Sequence, residues 1–504
     1  MASSHASSSE GLTFTVWSFL FFGFGMLSIG LFQTNQFFPL WLSVAVMSVV
    51  GFYVVCQVVK KWMGLVMATL FLAYLLPFVH LPEYLWYDFS GPEPLFGFGH
   101  LLSNPYMFDE TTIRLTAMLG ATGALGMAFA CSLFASPCGP RRVERQSGLL
   151  TALKTMSLRV WLLWVLIGLL FSSMAAPAET IFTSSYTTVV SYSDSINFGS
   201  SWLISYIILS FAAADALVEH RATDRKIKRW LISIVVVYVF VWLQLLRGDR
   251  AAIPFVFALT LARLFWVKDP NWGPSRLAKW LGVGLCILVL CVLGMIIGVA
   301  RLEMVDANLK NPLVLIGNMW SDERYAVSGL LNGTWSAVLL TPLSVAGDHL
   351  FESIAPRWGS DYVNLLLSTP PGFVADAIGW ERPIGIHQGP AWEMRYGSGG
   401  THAVVLPFRN FGMLGVFVIP TLWTFAICRV ERRCLRSCSV GSLSLLMSIT
   451  LVSPHWLWYG EKNMVTCLIA WFVLSRSYRV CLPKVNADQR PAIKGFGIPS
   501  FRMG

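Results

Sequence analysis

Lys226-Ile-Lys-Arg-Trp-Leu-Ile-Ser-Ile-Val-Val-Val-Tyr-Val-Phe-Val-Trp-Leu-Gln-Leu-Leu-Arg-Gly-Asp-Arg250 decides the fold. A cationic run leads into an apolar stretch, 230–246, which ends in the short polar turn Arg247-Gly248-Asp249-Arg250 before a second apolar stretch, 251–267. Two such stretches joined by a tight turn read as antiparallel helices, each near the roughly 20 residues that a bilayer requires. Working outward, similar stretches lie at 12–32, 37–59, 62–80, 111–135, 160–177, 201–219, 280–300, 411–428, 440–459 and 463–475. Residues are 55% hydrophobic and 13% charged, with a mean hydropathy of +0.61. A soluble domain carries about 25% charged residues. The expected fold is an all-α polytopic transmembrane bundle of twelve spans.

The cations give that bundle an orientation. Lys60 and Lys61, the run Arg141 to Arg159, the run Arg221 to Arg229, the group Lys268 to Lys279, the cluster Arg429 to Arg436 and the tail from Arg476 onward hold 25 of the 37 Lys and Arg residues. The alternate loops hold 10: Arg247, Arg250, Arg301, Lys310, Arg324, Arg357, Arg382, Arg395, Arg409 and Lys462. Cationic short loops stay cytoplasmic, so both termini are expected inside. The stretch 12–32 is preceded by no Lys or Arg and reads as a span, not a cleaved leader. The net charge of +10 then faces anionic headgroups, and a nucleic-acid partner is not expected. All ten cysteines fall in spans or cytoplasmic segments, so no disulfide framework is implied.

Four units follow: an N-terminal bundle (1–300), a large outer loop (301–410), C-terminal spans (411–476) and a basic tail (477–504). Arg114, Asp215 and Arg263 stand out among the few charges within spans, all near span ends where snorkelling is cheap. That argues against an ion-coupled transporter, which places ionisable groups deep in the bundle. The loop 301–410 is too aromatic to be disordered. Its segments 313–320, 325–340 and 362–367 have the spacing of short amphipathic helices on the membrane. They are separated by breakers at Thr341-Pro342, Thr369-Pro370-Pro371-Gly372 and Gly397-Ser398-Gly399-Gly400. Arginines, carboxylates, histidines and tryptophans concentrate there, most densely between Trp380 and Arg409. Those residue types hold phosphate, exchange protons and stack on sugar rings.

Gly399-Gly400-Thr401-His402, followed by Leu406-Pro407-Phe408-Arg409-Asn410-Phe411-Gly412 and Leu414-Gly415, resembles the Wzy-type polymerases of O-antigen and oligosaccharide repeat units. The Arg247 to Arg250 turn and the single late outer loop are similar to that family as well. This chain lacks the paired Arg-x10-Gly motifs of some members, so their catalytic arginines are not carried over. The resemblance implies a GT-C-like glycosyltransferase of the bacterial inner membrane. It would act at the periplasmic face on undecaprenyl-pyrophosphate-linked glycans as donor and acceptor, without a cofactor or metal, with a Wzz-like chain-length regulator as a further partner.

That reaction needs a stabilised pyrophosphate leaving group and a base for the acceptor hydroxyl. Arg247, Arg250, Arg324 and Arg395 are the expected phosphate or sugar contacts, joined by Arg382, Arg409, Trp392 and Tyr396. His402 or Glu393 is the expected base, with Asp348 and His349 in reserve. No metal-ligand spacing stands out. An O-antigen ligase shares these needs. A lipid-linked sugar flippase or exporter and a structural assembly factor are the alternatives of other classes.

Overall fold

The computed structural model describes Phe78 and residues 109–134, 155–175, 201–222, 339–352, 354–369, 372–381, 402–437 and 439–482. All regular structure among them is helical. The helices are α1 (Glu110–Phe134), α2 (Leu158–Ala175), α3 (Ser201–Ala222), α4 (Leu340–Phe351), α5 (Ser360–Ser368), α6 (Gly372–Ala377), α7 (Val405–Ser437), α8 (Val440–Tyr459) and α9 (Lys462–Val480). Six of them fall on the predicted stretches 111–135, 160–177, 201–219, 411–428, 440–459 and 463–475. Within α7, Val405–Glu431 is long and apolar enough to cross a membrane, and Leu158–Ser172, Trp202–Val218 and Val440–Ser453 are shorter apolar helices. The other six predicted stretches, Phe78 apart, lie outside the described residues, as do the segment 313–320 and nearly all of 325–340.

Local chemistry sets the helix ends. Asp109 accepts the Thr111 N–H at 2.8 Å and starts α1. Ser439 accepts the Ser442 N–H at 3.2 Å and starts α8, which stops at Gly460 with φ 77°. The expected break at Thr341-Pro342 is overturned, because both residues lie in the first turn of α4. The first N–H groups of a helix have no intrahelical acceptor, so a proline there costs no hydrogen bond. The expected helix 362–367 is found as the core of α5, and α6 begins at Gly372, while Pro370 and Pro371 lie outside the described residues. Helix α7 is broken at Gly412 (φ 61°, ψ −154°), so a short segment from Val405 precedes the longer one that the predicted stretch 411–428 covers. One boundary moves: α9 continues past 475 to Val480, with Arg476 lying over the Phe472 ring.

Packing is tightest between small residues. Helix α1 lies on α7 and α4, α2 on α3, and α3 on α8 and α9, while α8 joins α7 to α9. A Cβ at Gly126 would strike the Phe417 carbonyl, so α1 and α7 touch backbone to backbone. The Ser205 hydroxyl donates to the Gly168 carbonyl at 2.7 Å, and Trp161 Nε1 donates to the Ala212 carbonyl at 2.9 Å. The buried faces are rich in Ala, Gly, Ser and Thr, whereas Leu158, Leu162, Leu166 and Leu170 form an exposed row on α2. Leu414, Val418 and Leu422 do the same on α7. At the opposite end from the Asn410 region, buried Asp215 accepts the Tyr478 hydroxyl at 2.6 Å and the Met156 N–H at 3.0 Å. It thereby ties α3 and α9 to the residues ahead of α2.

Candidate functional site

The start of α7 carries the densest polar network among the described residues. The Ala403 N–H donates to the Leu457 carbonyl at 2.9 Å and pins this region to the end of α8. Asn410, fully buried one turn further on, is its hub. Its Oδ1 accepts the Gly359 N–H at 3.0 Å and the Asp361 N–H at 3.3 Å. Its Nδ2 donates to Asp361 Oδ2 at 3.2 Å and to the Leu406 carbonyl at 2.8 Å. Two backbone bonds flank it, Arg357 N–H to the Arg409 carbonyl at 2.9 Å and Trp358 N–H to the Asn410 carbonyl at 3.1 Å. The chain reaches α5 through left-handed residues at Trp358 (φ 51°) and Gly359 (φ 89°), which turn it over the Asn410 side chain.

Asp361 sits beneath this turn, 2% exposed. Arg357 Nη1 approaches its Oδ1 at 3.4 Å, and Arg409 Nε pairs with its Oδ2 at 3.8 Å. Arg409 is nearly buried, while the Arg357 side chain is half exposed. A buried charge is tolerable when paired and hydrogen-bonded, and Asp361 has both cations and the Asn410 amide. The cluster therefore offers a guanidinium on a built support, suited to an oxyanion.

Of the sequence-predicted residues, His402, Asp348, His349 and Arg409 are described. His349 meets the Phe408 ring edge-on at 4.9 Å, so α4 ends against the same turn of α7 that carries Arg409. Asp348 is buried on α4. His402 is fully buried and edge-on to Phe78 at 5.5 Å. Burial pushes its imidazole down to about 3, so the ring is neutral at physiological pH. The Val404 N–H approaches its Nδ1 at 3.4 Å. Proton uptake there would place a cation in an apolar pocket. Glu393, Arg247, Arg250, Arg324, Arg382, Arg395, Trp392 and Tyr396 lie outside the described residues.

Two participants carried no separate signal in the sequence. Asp361 and Arg357 look like any surface pair four residues apart. Glu461 is one carboxylate in the short turn between α8 and α9, yet it is buried and faces Tyr362. A charged residue inside so short a turn between apolar stretches was the available cue. Among the described residues, no three His, Cys, Asp or Glu side chains converge to hold a metal ion. Comparison of the chain with protein-family models, curated proteins and solved structures finds no match.

Proposed function

We propose that this chain is a polytopic protein of the bacterial inner membrane, with twelve spans and both termini inside, that polymerises undecaprenyl-pyrophosphate-linked oligosaccharide repeat units at the periplasmic face. The observation that carries the reading is the support for Arg357 and Arg409, built where the Asn-Phe-Gly segment enters α7. That site falls on the loop that the charge alternation puts outside. The alanines, serines and threonines buried on α1 and α3, set against the exposed leucine rows of α2 and α7, support a lipid surround, because helix contacts in bilayers favour small residues.

In this scheme the anomeric carbon of the donor glycan is attacked by a hydroxyl of the acceptor unit. The bond from that carbon to the pyrophosphate oxygen breaks, and the leaving group takes the electron pair. Arg409 and Arg357, together with Arg247, Arg250, Arg324, Arg382 and Arg395, hold the charge that develops on it. Trp392 and Tyr396 stack on sugar faces. Glu393 takes the hydroxyl proton, with Asp348 and His349 in reserve; His402, buried and neutral, is not suited to that role.

A deletion strain tests the reading. Its lipopolysaccharide is expected to run as core plus one repeat, with the ladder restored by the wild-type gene and not by Arg395→Ala. Bare core would indicate the ligase, and an unchanged ladder would remove both. Chain elongation by isolated membranes is further expected to proceed undiminished in EDTA. Loss of elongation restored by added Mg²⁺ would overturn the metal-free scheme.

A further inference from the structure

Three buried carboxyls among the described residues stand apart from the proposed chemistry, Asp215, Glu431 and Glu461, and Glu431 has interactions of its own. Asp215 is accounted for, since the Tyr478 hydroxyl and the Met156 N–H both donate to it. Glu461 is not. It is 1% exposed, and neither carboxyl oxygen has a hydrogen-bond partner among the described residues. The Tyr362 hydroxyl, also buried, faces it without closing a bond of normal geometry. Tyr362 stacks on Phe411 at 5.9 Å and directly follows Asp361 in α5. Helix α5 thus rests on two supports. One is Asn410 with its arginine pair, and the other is the α8–α9 turn through Tyr362 and Glu461.

The charges around Glu461 do not favour a bare carboxylate. On α5 the facing group is Tyr362, and Asp361, next to it in the helix, is paired with Arg357 and Arg409. At the start of α7, Arg409 is committed to Asp361 and His402 is neutral. On α8, His455 lies against Trp202, and on α9 Lys462 already has contacts of its own. Burial raises Glu461 to about 8, while its own backbone and the Tyr362 hydroxyl pull weakly the other way.

We propose that Glu461 is a positioning residue whose proton seats α5. With the proton on, Tyr362 has a neutral partner and α5 holds the Arg357–Asp361–Arg409 cluster over α7. With the proton off, a buried carboxylate has only the Tyr362 hydroxyl to compensate it, and α5 lifts from the turn. The role of the cluster in elongation rests on the reading given above, whereas the movement of α5 does not.

The direction with pH follows from linkage. The native state holds this proton more tightly than an ordinary carboxyl near 4.5. Its contribution is therefore complete below about 4.5 and is lost as pH rises through about 8. The reporter is Leu365→Cys, on the buried face of α5, with Val363→Cys on its exposed face as the control for thiol reactivity. Whole cells carrying each are treated with a membrane-impermeant maleimide from pH 6 to 9.5. The 365-to-363 labelling ratio is expected to rise at least fivefold between pH 7 and 9 with Glu461 present, and to stay flat with E461Q. A flat ratio in the reporter that retains Glu461 overturns the proposal without needing any change at 461. An equal rise with and without E461Q overturns it as well. In membranes, the alkaline fall in elongation should disappear in E461Q. Labelling that opens in cells whose ladder is independent of the gene would refute the polymerase reading and leave the seat intact.

Discussion

Asn410→Ala is expected to lower the unfolding free energy by about 3 kcal/mol and to erase the polysaccharide ladder. The estimate counts about 1 kcal/mol for each net hydrogen bond, with a further penalty for groups left buried and unpaired. Asn410 makes four such bonds, to the Gly359 and Asp361 N–H groups, to Asp361 Oδ2 and to the Leu406 carbonyl. Water would have to enter a fully buried space to replace them. Asn410→Asp is the sharper variant. It keeps the shape and the acceptor but sets a second carboxylate against Asp361, where the structure has an amide donor. It should be worse than alanine at pH 7 and should recover toward the alanine level in acid. The measurement is the monomer fraction surviving a heat series in detergent, with the ladder scored in parallel. Wild-type heat resistance in both variants would show that the hub does not hold α5.

Gly412→Ala and Gly415→Ala should each cost about 1–3 kcal/mol, for different reasons. Gly412 has φ 61° and ψ −154°, a conformation essentially confined to glycine. Nothing lies within 4 Å of a Cβ placed there, so its penalty is purely one of backbone strain. Gly415 has ordinary helical geometry, but a Cβ on it would strike the Pro407 carbonyl and press on Phe411. Together they let α7 turn sharply after Phe411, so that its first turn, carrying Arg409 and Asn410, folds over the longer segment. Both variants should lose heat resistance and shorten the ladder. If Gly415→Ala behaves as wild type, the close approach of Pro407 is not needed to hold the site. If Gly412→Ala does, the turn at this residue is not a constraint on the chain.

How much of this was legible differs from residue to residue. The long helices were readable because an apolar stretch closed by cationic or polar residues has few other ways to satisfy its backbone. Asn410 could be picked out only through its place in the Asn-Phe-Gly segment, and its work could not, because its partners Gly359 and Asp361 are about fifty residues away. Thr341-Pro342 misled because a proline is read as a break unless its position in the first turn is known. Arg409 was singled out among many loop arginines, but the chain gave no sign that its partner would be Asp361 and not a neighbouring glutamate.

The amino-acid sequence by itself determined the helical class, the placement of six described helices and the loop whose composition suits phosphate and sugar chemistry. Those are local properties, set by side-chain hydropathy, charge and the backbone's need for hydrogen bonds within each segment. The tertiary structure alone decided which polar residues act together. Asn410 under the Trp358–Gly359 turn, Asp361 between two arginines, and Glu461 opposite Tyr362 are long-range pairings. Burial is what gives them consequence, since a carboxylate in water is ordinary, while the same group enclosed without a donor holds its proton and answers to its neighbours.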